Sequence, residues 1–164
     1  MSEQVAGEQP ATRATGGLIV RLVVLAALIG IVWTGMDRIH VARGESVDKT
    51  LFWTAPGANP ELGNYVTLLA SHPIMGEGEA LLTKLIVCDE GMTITVQDHT
   101  FFCDGQRLGG YLTQTWDGKP LTAWEGGKVP VGSAFVMGTH PRSFDSRYFG
   151  PVEKRRMVVV RGLL

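Results

Sequence analysis

Leu18 to Met36 reads LIVRLVVLAALIGIVWTGM, nineteen residues whose polar exceptions are Arg21 and Thr34. As a helix rising about 1.5 Å per residue, the run spans about 28 Å, close to the roughly 30 Å hydrocarbon core of a bilayer. A chain of 164 residues has little interior in which to bury a helix apolar on every side. A cleaved leader peptide behind Arg13 and Arg21 is the other alternative. Against it, the run is long for a leader's apolar region. The nearby small-residue site, His40-Val41-Ala42, also carries the wrong residue at its first position. The expectation is a single transmembrane anchor over residues 17–37. Arg21 would snorkel to the headgroups near one end, and Trp33 would lie at the opposite interface. Residues 1–16, MSEQVAGEQPATRATG, are small and polar without apolar periodicity, and read as a disordered cytoplasmic tail.

The remainder, 38–164, is expected to form one folded domain. With 21 glycines and 8 prolines in the chain, turns are frequent, and the segments between them are short and rich in Val, Ile, Thr and Phe. That favours a small, mainly β, antiparallel domain. NYVTLLA, ALLTKLIVC, GMTITV, TFFC, SAFVMG and RRMVVVRG read as strands, with QDH turning one hairpin. CDGQRLGG and the stretch from Thr115 to Gly132 read as turn-rich connections, and no internal repeat is present. Basic and acidic residues nearly cancel, 15 against 16, which gives no basis for a nucleic-acid partner held by bulk charge. His72, His99 and His140 are scattered without metal-ligand spacing, so neither metal nor cofactor is expected.

Cys88 and Cys103 each end an apolar strand, LIVC and TFFC. Adjacent strand ends would bring them into bonding distance, and a bridge across 14 intervening residues would contribute about 3 kcal/mol. Two unpaired buried thiols are the alternative. A bridge persists in the periplasm and not in the cytoplasm. This weighs on orientation where the charges do not, because Arg13 and Arg21 lie before or at the start of the apolar run while Arg38, Arg43 and Lys49 follow it. The expected location is therefore the bacterial inner membrane, crossed once, with the folded domain in the periplasm.

Lys84 interrupts the apolar strand LLTKLIVC. On an edge it would face water. Buried there, its pKa would fall, and a neutral amine could accept a proton, whereas at about 10.4 only about one lysine in 2,500 is neutral at pH 7. Such a base suits a serine nucleophile, which is too weakly acidic to attack an amide unaided. Ser46, Ser71, Ser133, Ser143 and Ser146 are all candidates, and the residue types alone do not choose among them. A second anomaly is HPRSFDSRYFGP, residues 140–151, which sets two serines, an aspartate, two arginines and a histidine between apolar strands. Taken alone, it reads as a solvated turn.

Together these segments resemble the type I signal peptidase superfamily, and specifically its TraF-like conjugative-transfer branch. HPRSFDSRYFGP is close to that family's last box, with GSAFVMG as the strand before it. LTKLIVCDEGMTITV is similar to the lysine strand and the turn after it, and ELGNYVTL to the box that precedes them. DGKPL at 117–121 also has a counterpart. SVDKTLF, from Ser46, lies where the family carries Ser-Leu-Pro-x-Gly-Leu-Tyr, so Asp48 stands at the proline position. Gly44 replaces a hydroxyl residue, while Asn64 and Met92 replace aspartates. The resemblance implies a Ser–Lys dyad with Ser46 as nucleophile and Lys84 as general base. It further implies that Ser143 orients the amine and that Asp145 and Arg147 form a bracing ion pair. The expected activity is a serine endopeptidase that removes the leader of a conjugative pilin precursor, with cyclisation as a further outcome. Its expected partners are that precursor, the lipid bilayer and other type IV secretion components. A general leader peptidase and a catalytically silent pilin-binding assembly factor are the competing readings.

Overall fold

A computed structural model describes residues 13–36, 38–41, 47–76 and 78–163, with backbone alone at 13–16, 34–36 and 40. Ser46 and most of the tail read over 1–16 lie outside the described residues. The chain divides into two compact units, Met1–Arg38 and Ile39–Leu164.

The first unit holds helix α1 (Arg13–Met36), which begins inside the segment read as tail. Its described large apolar side chains, from Leu18 to Trp33, are exposed on every side. Among the described residues, no helix is long and apolar enough to cross a membrane. The anchor expected over 17–37 is therefore not carried by the described residues.

The second unit is mainly antiparallel β, as expected. Its strands are β1 (Ile39–Val41), β2 (Leu51–Thr54), β3 (Tyr65–Ala70), β4 (Ala80–Cys88), β5 (Thr93–Gln97), β6 (Thr100–Cys103), β7 (Gln106–Gly110), β8 (Gly127–Lys128), β9 (Ser133–Met137), β10 (Val152–Glu153) and β11 (Met157–Gly162). A single helical turn, α2 (Ser146–Phe149), lies between β9 and β10. The larger sheet runs β1-β2-β11-β3-β4-β9-β10 and the smaller β7-β6-β5-β8. Two tight hairpins build the smaller sheet. Asp98 and His99 turn at φ 46° and 58°, and Asp104 and Gly105 at 45° and 83°, the left-handed pairs that two-residue hairpins require. The second hairpin sends 106–110, read from sequence as connection, back as a strand.

The core has two main parts, and β9 separates them. Ala134 and Val136 face a cluster with Val66, Leu68, Ile86 and Val159. Phe135 and Met137 face another with Ile94, Phe101 and Val129. All five residues of β9 are buried, which explains why SAFVM shows no polar alternation. In β4 the register against β9 shifts between Ile86 and Cys88. Residues two apart on a regular strand share a face, yet here Ile86 joins the first cluster and Cys88 the second. The irregularity turns Cys88 toward β6, where it is bonded to Cys103 with Cα atoms 5.8 Å apart.

Candidate active site

Lys84 pairs with Val66 across β3 and β4 and is 1% exposed. It lies two residues before Ile86, on the strand face that packs the first cluster. Its Nζ donates to Ser143 Oγ at 2.5 Å. Burial pushes the Lys84 pKa down to about 8; nearby Asp145 opposes the fall and Arg147 adds to it. At pH 7 about one such amine in ten is neutral, against about one in 2,500 for a lysine in water.

Ser143 belongs to a segment that is tied down at nearly every polar atom. Its N–H donates to the His140 carbonyl at 3.0 Å, and its own carbonyl accepts from Arg147 Nη2 at 2.9 Å. Asp145 is wholly buried. Its Oδ1 accepts from Arg147 Nε at 2.8 Å, and its Oδ2 from Arg147 Nη2 at 2.7 Å and the Gly138 N–H at 2.9 Å. The same carboxylate caps α2 by accepting the Arg147 N–H. Arg147 Nη1 reaches across to the Gly110 carbonyl of β7 at 2.6 Å. Burial alone would lower the Arg147 pKa, but the hydrogen bonds and charge of Asp145 outweigh it and hold the guanidinium above its ordinary value. Ser146 Oγ accepts from the Val136 N–H at 3.0 Å, and Tyr148 Oη from the Leu112 N–H at 3.0 Å. The segment is thus a brace between β4, β7 and β9 rather than the solvated turn its composition suggests.

Beside Ser143 opens a cleft of about 340 Å³, walled by Ile74, Leu112, Trp116, Leu121, Phe144 and Tyr148, with Arg142 and His140 among its polar members. Phe144 and Tyr148 stack with ring planes 3° apart. The mostly apolar walls suit an apolar ligand, and Ser143, which bonds the buried Lys84 amine, is the lining residue that links the cleft to it.

The structure brings together Lys84, Ser143, Asp145 and Arg147. Cys88, at the end of the same strand as Lys84, is in the bridge to Cys103. Ser46 lies outside the described residues, but its two successors do not. Val47 is buried with Phe52 and Val160, and Asp48 accepts from Tyr65 Oη at 2.5 Å. Burial first, then the hydrogen bond and charge of Asp48, push the Tyr65 pKa up to about 12. Sequence reading missed this pair because its members stand 17 positions apart, one in the bend before β2 and the other in β3. The signal that pointed there was Asp48 itself, at a proline position of the resembling motif. No group of side chains fit to hold a metal occurs among the described residues.

The family described as signal peptidase, peptidase S26, matches this chain over residues 15–161. Signal peptidase I V of Bacillus subtilis (strain 168) is 29% identical over 99 residues, covering 52% of this chain and 58% of its own length. The conjugal transfer protein TraF of Agrobacterium tumefaciens (strain 15955) is 35% identical over 77 residues, covering 46% of this chain and 43% of its own length. The chain thus spans about half the length of these curated relatives. A crystal structure of a signal peptidase I from Enterococcus faecalis V583 aligns with a TM-score of 0.38 at 24% identity, over 65% of this chain and 99% of that one.

Proposed function

Because the chain belongs to the peptidase S26 family of signal peptidases, we propose that it is a serine endopeptidase, anchored in the bacterial inner membrane, that matures a conjugative pilin precursor on the periplasmic side. One observation carries the reading: a lysine amine buried in an apolar strand, depressed to about 8 and held by a serine hydroxyl. Ser143 takes one N–H of that amine, which leaves its lone pair to be directed elsewhere. Neutral Lys84 accepts the proton of Ser46 as the serine oxygen attacks the scissile carbonyl. The ammonium so formed protonates the departing amine as the C–N bond breaks, and an acyl-enzyme remains. Water resolves it by hydrolysis; the substrate's own amine, if held close, would resolve it by cyclisation. With Gly44 in place of a hydroxyl residue, the backbone N–H of Ser46 is left as the donor to the oxyanion.

Membrane attachment is supported by the nineteen-residue apolar run from Leu18 to Met36 and by family membership. The periplasmic side is supported by the Cys88–Cys103 bridge. The pilin substrate rests on the match to a conjugal transfer protein. The deciding experiment is the mass of the pilin in cells carrying Ser46→Ala or Lys84→Ala. Accumulation of precursor in both is expected. Mature pilin of unchanged mass in both would overturn the peptidase in favour of a silent assembly factor.

The match to a signal peptidase I favours a second reading, a general leader peptidase. Gene deletion separates the two: loss of conjugation with viable cells supports the dedicated enzyme, and loss of viability supports the general one.

A further inference from the structure

We infer that Tyr65 and Asp48 form a clamp that registers the serine-bearing segment against the strand carrying Lys84, an inference that rests on the dyad proposed above. Tyr65 is fixed from both sides by the sheet, since its backbone pairs with Leu85 on β4 and with Val160 on β11. Just before it, the Gly63 N–H donates to the Ile86 carbonyl and the Ile86 N–H to the Asn64 carbonyl, each at 2.9 Å. Tyr65 therefore keeps the frame of the strand that carries Lys84, with its side chain on the opposite face of the sheet.

The tyrosine ring extends that frame to another part of the chain. It packs on Phe52 with centroids 5.4 Å apart, and Phe52 shares a buried cluster with Val47 and Val160. Beyond the ring, the hydroxyl donates to Asp48 Oδ1 at 2.5 Å, a hydrogen bond to a charged acceptor. The clamp thus grips residues 47 and 48 by one apolar and one polar contact. Ser46 is joined to Val47 by a single peptide bond. Displacement of a nucleophile by about 1 Å can cost roughly 10²-fold in rate, so a tether one residue away has leverage on the reaction without touching substrate. Tyr65 and Asp48 are positioning residues in this account.

The test needs no substrate. In the full-length chain in detergent micelles, Ser46→Cys introduces a single reactive thiol, because the two native cysteines are bonded to each other. Its alkylation by iodoacetamide near neutral pH is measured with Lys84 present and with Lys84→Met. The ratio of the two rates reports how well the lysine reaches position 46. A nearby base activates a thiol, and the ratio is expected to exceed about tenfold in the otherwise native chain. It should fall at least about threefold in Tyr65→Phe, in Asp48→Ala and in the double variant alike, since all three break the same contact. Asp48→Asn, whose amide oxygen still accepts the hydroxyl hydrogen, should restore most of it.

Asp48 is exposed, so Asp48→Ala tests the contact without disturbing the core. A high ratio that Asp48→Ala leaves unchanged overturns the clamp and spares the dyad. A loss seen in Tyr65→Phe but not in Asp48→Ala also overturns it, because packing alone would then explain the effect. A ratio near one in the otherwise native chain overturns the dyad, and the clamp with it.

Discussion

Lys84 combines near-complete burial with a hydrogen bond to one hydroxyl, and the burial loosens its hold on the proton. If it is the base, kcat/KM should rise with pH through about 8 as the amine loses its proton. A pH–rate profile flat across that range would remove it from the role. Stability should respond to the same group. Its folded-state pKa of about 8 lies below the value of about 10.4 in an unfolded chain. Between those limits the unfolded chain binds the extra proton, so the folded state gains stability as pH rises across the window. Denaturant midpoints taken at the two ends should differ in that sense for the native chain. Lys84→Met should flatten the lysine's share of the difference and abolish cleavage.

At the scale of elements, the decisive piece is the short segment around α2. One carboxylate, Asp145, receives a backbone N–H from β9's end and a two-pronged arginine that itself reaches β7. Asp145→Asn leaves the Arg147 charge buried beside a neutral amide. Breaking one side of a buried pair costs about 3–5 kcal/mol, and urea unfolding should record a loss of that order. Activity should fall too, because Ser143 is held through its carbonyl by the same arginine. A loss under about 1 kcal/mol would show that the brace is screened by water. The irregularity in β4 is a second element-scale device. It lets one strand send Ile86 to one cluster and Cys88 to the other, so the strand that carries Lys84 also carries the bridge to β6.

At the scale of the whole molecule, one prediction concerns the β-unit and one the helix before it. Replacing both Cys88 and Cys103 with serine should lower the stability of the β-unit by about 3 kcal/mol, read as a drop in Tm under non-reducing conditions. A chain equally stable with and without reductant would show that packing alone joins the two sheets. On the proposed reading, the full chain should stay in the membrane fraction through alkaline carbonate extraction, and a chain starting at Ile39 should not. Release of the full chain by carbonate would sink the anchor.

Several features were legible from local chemistry. The antiparallel β character came from short Val-, Ile- and Thr-rich runs between glycines, and Asp104-Gly105 is legible as a turn, although the segment after it reads as connection and folds as a strand. Lys84 stood out because a charge within an aliphatic strand must be paired, functional or wet, and the order of residues alone does not say which. What folding decided was the set of partners. Ser143 and Ser146 are three positions apart and chemically alike, yet one receives a lysine amine from β4 and the other a backbone N–H from β9. By sequence Asp48 is a substitution for proline; in the fold Tyr65, a strand and a loop away, donates to it. Hydrogen bonds between distant segments depend on strand order and register. These are settled by which apolar faces pack together, and local residue preference carries no record of that choice.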